Sequence, residues 1–202
     1  MHLLGYALQF SLPCSPKITH MKKLTSRLCL AAMALLLVSK IQAQSLDDIK
    51  AQMVKDWERA KAYTQEYLNT MPANKFSFKA NDSTRTFAQQ MLHLAAANIF
   101  FMSTVSGEKP PAWLSFGLEK STGAQQRDST VYYVMASYDF AIRTVKNSDI
   151  SKWSEKKKLF GRFDETNYAI MNKAFEHQGH HRGQTTIYIR LQGIKPPEER
   201  LF

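Results

Sequence analysis

Four stretches of the chain carry apolar residues at helical spacing, and this pattern limits the fold more than any other feature. In the first stretch, 45–71, apolar side chains recur three or four positions apart and form one face of a helix. The second, 91–102, is apolar almost all round, which is typical of a central buried helix. The third covers roughly 127–146, and the fourth follows Asp164. None of them alternates apolar and polar residues between hairpin turns.

Capping residues and helix breakers predict the helix boundaries. Ser45 caps the first helix and Pro72 stops it, while the second helix is expected to begin near Ser83. The fourth takes Asp164 as its N-cap and ends at Gly193. Four long helices joined by loops predict an all-α fold, a four-helix bundle, which is an architecture that builds metal sites from side chains on facing helices.

The longest predicted loop separates the second helix from the third. It contains several glycines and prolines together with Trp113 and Phe116. A surface loop is the ordinary interpretation of such a segment. The alternative is a functional loop whose aromatic side chains line a pocket.

The first 43 residues predict targeting rather than folding. Met21 is followed by basic residues, by the uncharged run Leu28–Val38 and by the small residue Ala43 at a cleavage position. That run is shorter than the roughly 20 residues needed to cross a bilayer. We therefore expect a signal peptide at 21–43, a single domain at 44–202, export to the periplasm and no stable membrane anchor. Residues 1–20 fit neither element and are interpreted as a mis-assigned start.

Charge and cysteine content exclude several classes of function for 44–202. Five basic residues and no acidic ones lie in 1–43, so the net charge falls from +10 to +5. The remaining basic residues are interspersed with acids, which argues against nucleic acid as a partner, and Lys156–Lys158 is predicted to be a solvated loop. Cys14 and Cys29 both lie in the removed segment, so no thiol is left for a disulfide, a metal or a nucleophile.

Two histidines interrupt the apolar seam of the fourth helix. His177 and His181 are one turn apart on the same face, where two imidazoles can bind one ion. Burying both without a shared partner would cost desolvation with nothing in return. His180 competes for the same role, but it lines up with Lys173, whereas His181 continues the seam. The predicted seam is Ile170, Ala174, His177, His181, Gln184, Tyr188 and Leu191.

A third ligand has to come from another helix. His93 is the only histidine of 44–202 outside the fourth helix, and it lies in the middle of the most apolar segment. A core histidine bound to a backbone carbonyl or a tyrosine is the ordinary alternative, but the pair on the fourth helix favours a metal ligand. Three protein ligands leave a coordination position open, as in catalytic zinc sites. Zinc or nickel is the expected divalent ion, and iron and manganese also accept imidazole.

The last helix carries a recognisable motif. The run HQGHHRGQ at 177–184, with Pro196 and Pro197 beyond it, resembles the signature on the last helix of DinB-like (YfiT-like) metalloenzymes. Met71-Pro72 and the Arg85-Thr86-Phe87 segment that leads into His93 are similar to the first two helices of that family. The resemblance implies an up-down-down-up bundle, three ligands matching His93, His177 and His181, and frequently a homodimer. Some relatives are metal-dependent transferases or isomerases that use a low-molecular-weight thiol, and many are described only as hydrolases.

These observations predict a metal-dependent hydrolase or transferase that acts on a small molecule. The sequence lacks the His-Glu-x-x-His pattern of metalloproteases, because Gln178 follows His177. His180 and Gln184 are the candidate groups for moving protons or orienting the substrate. One alternative is a non-catalytic extracytoplasmic bundle that binds a metal or a small ligand. The other is a bundle whose histidines no longer serve a site.

Overall fold

A computed structural model describes residues 45–114 and 117–202. Helix α1 occupies 45–70, and the other elements are α2 (Phe87–Ser106), α3 (Arg127–Asn147), β1 (Lys156–Leu159), β2 (Phe163–Thr166) and α4 (Asn167–Arg190). Short 3-10 helices lie at Ala73–Lys75, Leu118–Lys120 and Ile150–Lys152. The predicted signal peptide, the predicted mis-assigned start and Phe116 lie outside the described residues. Among the helices described, none is long and apolar enough to span a bilayer.

Contacts between pairs of helices give their directions. α1 and α4 run parallel, because residue numbers rise together in their contacts: Trp57 meets Phe175, and Tyr67 meets Thr186. α2 and α3 are parallel for the same reason, since Asn98 meets Ser137, and Glu108, just beyond α2, meets Arg143. α1 and α3 are antiparallel, because residue numbers rise in one helix as they fall in the other: Lys50 meets Ser148, and Thr64 meets Tyr138. α2 and α4 are antiparallel by the same test, since Phe87 meets Tyr188 and Phe101 meets His177. The order is up-down-down-up, and the predicted all-α four-helix bundle is confirmed.

Trp57 lies at the centre of the core. Its side chain is 1% exposed, and its ring makes edge contacts with Tyr138 of α3 at 5.8 Å and Phe175 of α4 at 5.3 Å. The predicted inward face of α1 is therefore correct at its middle. Burial of one large apolar side chain of this kind stabilises a fold by about 1.5–3 kcal/mol. The other large side chains that are fully buried include Leu68, Met91, Leu94, Ile99, Met102 and Met171.

Two predicted helix starts are wrong by a few residues. Helix α2 begins at Phe87 rather than near Ser83, because Thr86 and Gln89 form a reciprocal capping box in which each side chain accepts from the other's backbone N–H. Helix α4 takes Thr166 rather than Asp164 as its N-cap, since the Thr166 hydroxyl accepts from the Ala169 N–H at 3.1 Å.

The hairpin before α4 was not expected from the sequence. β1 and β2 pair antiparallel, with Lys156 opposite Thr166 and Leu159 opposite Phe163, so Lys156–Lys158 is a strand and not a loop. Phe160 and Gly161 turn the chain with φ angles of 51° and 71°. Four-residue strands with mostly charged side chains give no alternating apolar pattern. Only Leu159 of the two strands is fully buried.

The inward face of α4 differs from the predicted seam at its C-terminal half. Gln184 and Leu191 are exposed, whereas Gln178, Thr185 and Ile189 are buried. An α-helix has 3.6 residues per turn, so a seam extrapolated at alternating spacings of four and three drifts around the helix within three turns. The helix itself ends at Arg190, and Gly193 follows with a left-handed φ of 73°.

Candidate metal centre

Three imidazoles meet between α2 and α4. The ring centroid of His93 lies 5.3 Å from that of His177 and 4.6 Å from that of His181, and the two rings of α4 are 4.3 Å apart. Each histidine offers one ring nitrogen, and the three nitrogens lie within 4.8 Å of one another. The structure thus brings together the three histidines that the sequence predicts as ligands.

The spacing of two of these nitrogens fits a shared ion. Nε2 of His177 lies 3.1 Å from Nε2 of His181. Two imidazole nitrogens that bind one zinc ion at their usual bond length, with an angle between 90° and the tetrahedral value, are separated by roughly 2.9–3.4 Å. Without an ion, one of these nitrogens donates a hydrogen bond to the other. The pair therefore needs little movement to bind a metal.

Burial keeps these imidazoles neutral. Desolvation lowers the pKa of His181 to about 3 and that of His177 to about 4, with the neighbouring histidines and Arg85 adding to both shifts. Burial also lowers the pKa of His93, assisted by Arg85 and opposed by Glu119. A neutral imidazole has the lone pair that a metal requires. Within the described ranges, no hydrogen-bond partner reaches the buried Nδ1 atoms of His177 and His181.

Glu119 reaches the outer side of His93. Its Oε2 lies 3.2 Å from His93 Nδ1 and 3.1 Å from Arg85 Nε, and Arg85 Nη2 lies 3.4 Å from the same His93 nitrogen. Since His93 uses Nδ1 on this side, its Nε2 is left for the cluster. Glu119 was not predicted from the sequence, because it lies in the long loop and no spacing links it to His93. The length of that loop was the only available signal.

His180 and Gln184 lie beside the cluster rather than in it. Both are exposed on α4, and their Nε2 atoms are 2.8 Å apart. The ring of His180 meets the ring of His181 edge-on at 5.0 Å. Of the four histidines in 44–202, His180 is thus the one outside the cluster, and its predicted role in catalysis stays a prediction.

Aromatic side chains border the cluster on the side of the hairpin. The ring of Phe101 lies 5.9 Å from that of His177, and Phe160 of the hairpin turn stacks on Phe100 at 5.1 Å. Phe100 and Phe160 are 39% and 64% exposed. Trp113 instead packs on Tyr133 at 5.1 Å and is partly buried. Among the described residues, the aromatic surface next to the histidines comes from α2 and the hairpin, while Trp113 of the long loop packs on Tyr133.

A cavity of about 560 Å³ lies at the far end of α2 and α3, away from the histidines. Its lining includes Glu108, Arg143, Trp153 and Asn167. Two of the charged side chains in the lining already bind each other, with 3.0 Å between Glu108 Oε1 and Arg143 Nη2. Among the described residues, the one group of histidines and acids spaced to hold a metal ion lies at the histidine cluster and not in this cavity.

Comparisons with known proteins agree with this architecture. The model of the DinB family matches residues 42–200. A crystal structure of a DinB-like protein from Bacillus cereus ATCC 10987 is similar with a TM-score of 0.63 and 16% identity, over 73% of this chain and 95% of that one. A DinB-like protein, YjoA, from Bacillus subtilis is similar with a TM-score of 0.56 and 15% identity, over 75% and 96%. At these identities the likeness shows the fold. No curated protein has a significantly similar sequence.

Proposed function

The chain belongs to the DinB family, and we propose that it binds one divalent metal ion through His93, His177 and His181. In this proposal the protein is a metal-dependent hydrolase or transferase that acts on a small molecule. The observation that carries this proposal is the 3.1 Å separation of the Nε2 atoms of His177 and His181, with His93 against both rings. Neutral imidazoles at that separation match the ligand spacing of a single ion.

A set of three protein ligands favours a catalytic over a structural site, because a position stays open for substrate. The cluster is also within reach of solvent, since the His93 side chain is 32% exposed. When bound, a divalent ion supplies Lewis acidity that polarises a carbonyl or activates a water or thiol nucleophile. Zinc and nickel suit an all-imidazole set best among the candidate ions.

The surroundings of the cluster support a small substrate with an apolar part. The rings of Phe100, Phe101 and Phe160 offer an aromatic surface next to His177. His180 is exposed, its ring contacts that of His181, and Gln184 holds its Nε2. In this proposal His180 takes or gives a proton at the edge of the site, and Gln184 sets the orientation of its ring.

One observation favours the alternative of a non-catalytic bundle that binds a metal or a small ligand. The carboxylate of Glu119, which contacts His93 of the cluster, is already bound to Arg85 and His93. With Glu119 engaged in this way, His180, whose ring contacts that of His181, is the candidate general base. A wild-type protein that binds metal but shows no turnover of any substrate tested would favour this alternative.

Metal content tests the first half of the proposal. Protein purified without an affinity tag of histidines and without chelator is expected to contain one divalent ion per chain by elemental analysis. His93→Ala, His177→Ala and His181→Ala each should lose it, while His180→Ala, the matched control on the same helix, should retain it. Full occupancy in His93→Ala or His181→Ala, or loss in His180→Ala alone, would show that the ligand set is different.

Turnover tests the second half. A panel of small esters, amides and thiol-reactive electrophiles with apolar groups is screened with the zinc and nickel forms, with and without a low-molecular-weight thiol. Activity should disappear with chelator, return with the metal and be absent in His177→Ala. Turnover that survives chelation would contradict a metal-dependent reaction, and a thiol requirement would distinguish transferase from hydrolase.

Export and self-association belong to the same proposal. The signal predicted at 21–43 would give a mature protein that starts at Gln44 in the periplasm, and the family resemblance implies a homodimer. Mass spectrometry of the native protein gives the first residue, and light scattering after gel filtration gives the mass in solution. An amino terminus at Met1 or Met21 in the mature pool would contradict export.

A further inference from the structure

Arg85, Glu119 and His93 form a row that ends at the histidine cluster. Glu119 Oε2 accepts from Arg85 Nε at 3.1 Å, and Arg85 Nη2 is 3.5 Å from Glu119 Oε1, so the guanidinium grips both carboxylate oxygens. The same Oε2 lies 3.2 Å from His93 Nδ1. A carboxylate held in this way has a fixed position and a fixed direction for accepting a second hydrogen bond.

Nδ1 of His93 faces two groups with opposite demands. If it carries a proton it donates to Glu119 at 3.2 Å, and if it carries a lone pair it accepts from Arg85 Nη2 at 3.4 Å. A neutral imidazole has only one N–H, so the choice at Nδ1 decides the state of Nε2. Only the form with a proton on Nδ1, where Glu119 is in contact, leaves Nε2 with a lone pair that is available to an ion shared with His177 and His181. The donor contact to Glu119 is the shorter one, and its acceptor is charged.

We propose that Glu119 is a positioning residue, which holds His93 in the tautomer with a proton on Nδ1 and so directs Nε2 at the other two imidazoles. This proposal rests on the proposed function for the bound metal. The tautomer of His93, however, is a property of the metal-free protein and can be measured without a metal. A carboxylate on the outer nitrogen of a ligating histidine fixes the ring and raises its basicity toward the ion. His177 and His181 have no such acceptor within the described ranges, so His93 is the ligand with a fixed tautomer.

Residues of the long loop hold Glu119 in place next to His93. Gly117 enters the Leu118–Lys120 turn with a φ of 100°, in the left-handed region that favours glycine. Leu118 is buried against Leu92 of α2, one residue before His93. The Gln125 side chain donates to the Glu119 backbone carbonyl at 2.9 Å. The loop thus anchors Glu119 on the helix that carries His93.

Arg85 is anchored from the opposite side. Its backbone carbonyl accepts from the Tyr188 hydroxyl of α4 at 2.8 Å, and the next residue, Thr86, is the N-cap of α2. The guanidinium therefore starts from a fixed backbone and reaches Glu119 across a short distance. The row is held at both ends, which a chance surface ion pair is not.

The experiment measures tautomer and affinity in the same variants. Protein labelled with ¹⁵N-histidine and freed of metal is studied by two-bond ¹H–¹⁵N correlation at neutral pH, which reports the protonated nitrogen of His93. Zinc affinity is measured by competition with a chromophoric chelator. The variants are Glu119→Ala and the near-isosteric Glu119→Gln, whose amide oxygen still accepts. Glu108→Gln, which also removes a carboxylate bound to an arginine, is the control far from the cluster.

Wild-type protein and Glu108→Gln should show the proton on Nδ1 of His93. In Glu119→Ala the proton should move to Nε2, and zinc affinity should fall about 10–100-fold, the usual effect of losing an outer partner of a ligating histidine. Glu119→Gln should keep the tautomer and recover much of the affinity, which a merely structural role would not predict. An unchanged tautomer, or zinc affinity within twofold of wild type in Glu119→Ala, would overturn the proposal. If the wild-type protein binds no zinc, the proposed function fails. The tautomer of His93 in the two Glu119 variants still decides whether Glu119 positions that ring.

Discussion

Two faces of α4 carry buried polar side chains, and the two faces differ in whether those side chains have hydrogen-bond partners. On one face, Gln178 Oε1 accepts from the Tyr138 hydroxyl at 2.7 Å and from Arg182 Nη1 at 2.8 Å. Thr64 joins the same network through Tyr138 at 2.7 Å. On the other face, one residue earlier in each turn, His177 and His181 face each other and their Nδ1 atoms have no partner among the described residues.

The difference separates a structural polar cluster from a functional one. Polar groups in the core are costly unless they bind one another, and a completed network specifies how helices pack. The Gln178 network joins α1, α3 and α4 in this way, with the Arg182 guanidinium also 4.6 Å from the centre of the Tyr63 ring. The histidine pair is incomplete by the same criterion. Between these two faces of α4, the unpartnered Nδ1 atoms distinguish the histidine face, which carries the candidate ligands, from the Gln178 face.

Removal of one imidazole should have the largest effect of any change on this helix. His181→Ala is expected to reduce zinc affinity by more than the roughly 10–100-fold that is typical for outer partners of a ligand. The unfolding free energy of the metal-free protein should change little or rise, since a desolvated polar group is removed. Competition with a chelator and denaturant unfolding measure the two quantities. Unchanged zinc affinity would remove the distinction between the two faces.

The opposite face should respond in stability and not in metal binding. Gln178→Met keeps the volume but leaves the Tyr138 hydroxyl and Arg182 each with one partner fewer. Loss of a buried acceptor for a charged donor costs about 2–3 kcal/mol of unfolding free energy. Zinc affinity should stay within twofold of wild type. If Gln178→Met instead loses zinc at full stability, the network belongs to the site and the comparison is wrong.

The two faces should also differ in their response to acid. The folded-state pKa values of His177 and His181, about 4 and about 3, lie below the unfolded value of about 6.5. Between these values the unfolded chain binds more protons, so stability is present above pH 6.5 and is lost as the pH falls. For metal-free protein the loss between pH 7 and pH 5 should be about 2–3 kcal/mol, most of it from the more buried His181, because the contribution of His177 is discounted for its exposure.

Thermal unfolding of chelator-treated protein at several pH values measures this loss. The double variant His177→Leu, His181→Leu is the control, because it lacks both titrating groups on that face. Its melting temperature should depend less on pH over the same range, while Gln178→Met should keep the wild-type slope. Equal slopes in wild type and the double variant would show that the two imidazoles are not depressed in pKa.

Helical spacing was enough to predict the bundle and to place His177 and His181 on one face of the fourth helix. His93 was predicted because it is the only histidine of 44–202 outside that helix and lies in an apolar segment. The same spacing failed for Gln184, which is exposed, since a small error in angle accumulates along α4. It also missed Gln178, which is buried on a second face of the helix where it contacts Tyr138. Cap choice at Thr86 depends on a side-chain pair that competes with several other hydroxyls nearby.

Contacts between distant parts of the chain were out of reach for a different reason. Glu119 meets His93 only because the loop folds back on α2, and no local rule links the two positions. The hairpin has one buried side chain, Leu159, so its pairing depends on backbone hydrogen bonds and on α2 beneath it. Local patterns therefore predicted the three histidines of the cluster, and only the tertiary structure showed that Glu119 contacts one of them.

The smallest effect is expected at the boundary between the two faces, where His180 lies next to His181 but outside the cluster. His180→Ala should keep zinc affinity within a few-fold and the unfolding free energy within about 0.5 kcal/mol, because the side chain is exposed and its partner is the exposed Gln184. If His180 handles protons, turnover on a substrate of the metal site falls while affinity for zinc does not. Gln184→Ala then serves as the graded comparison, since it frees the His180 ring without removing it and should lower turnover less. A fall in zinc affinity for His180→Ala as large as that for His181→Ala would place His180 among the ligands and move the boundary of the functional face by one residue.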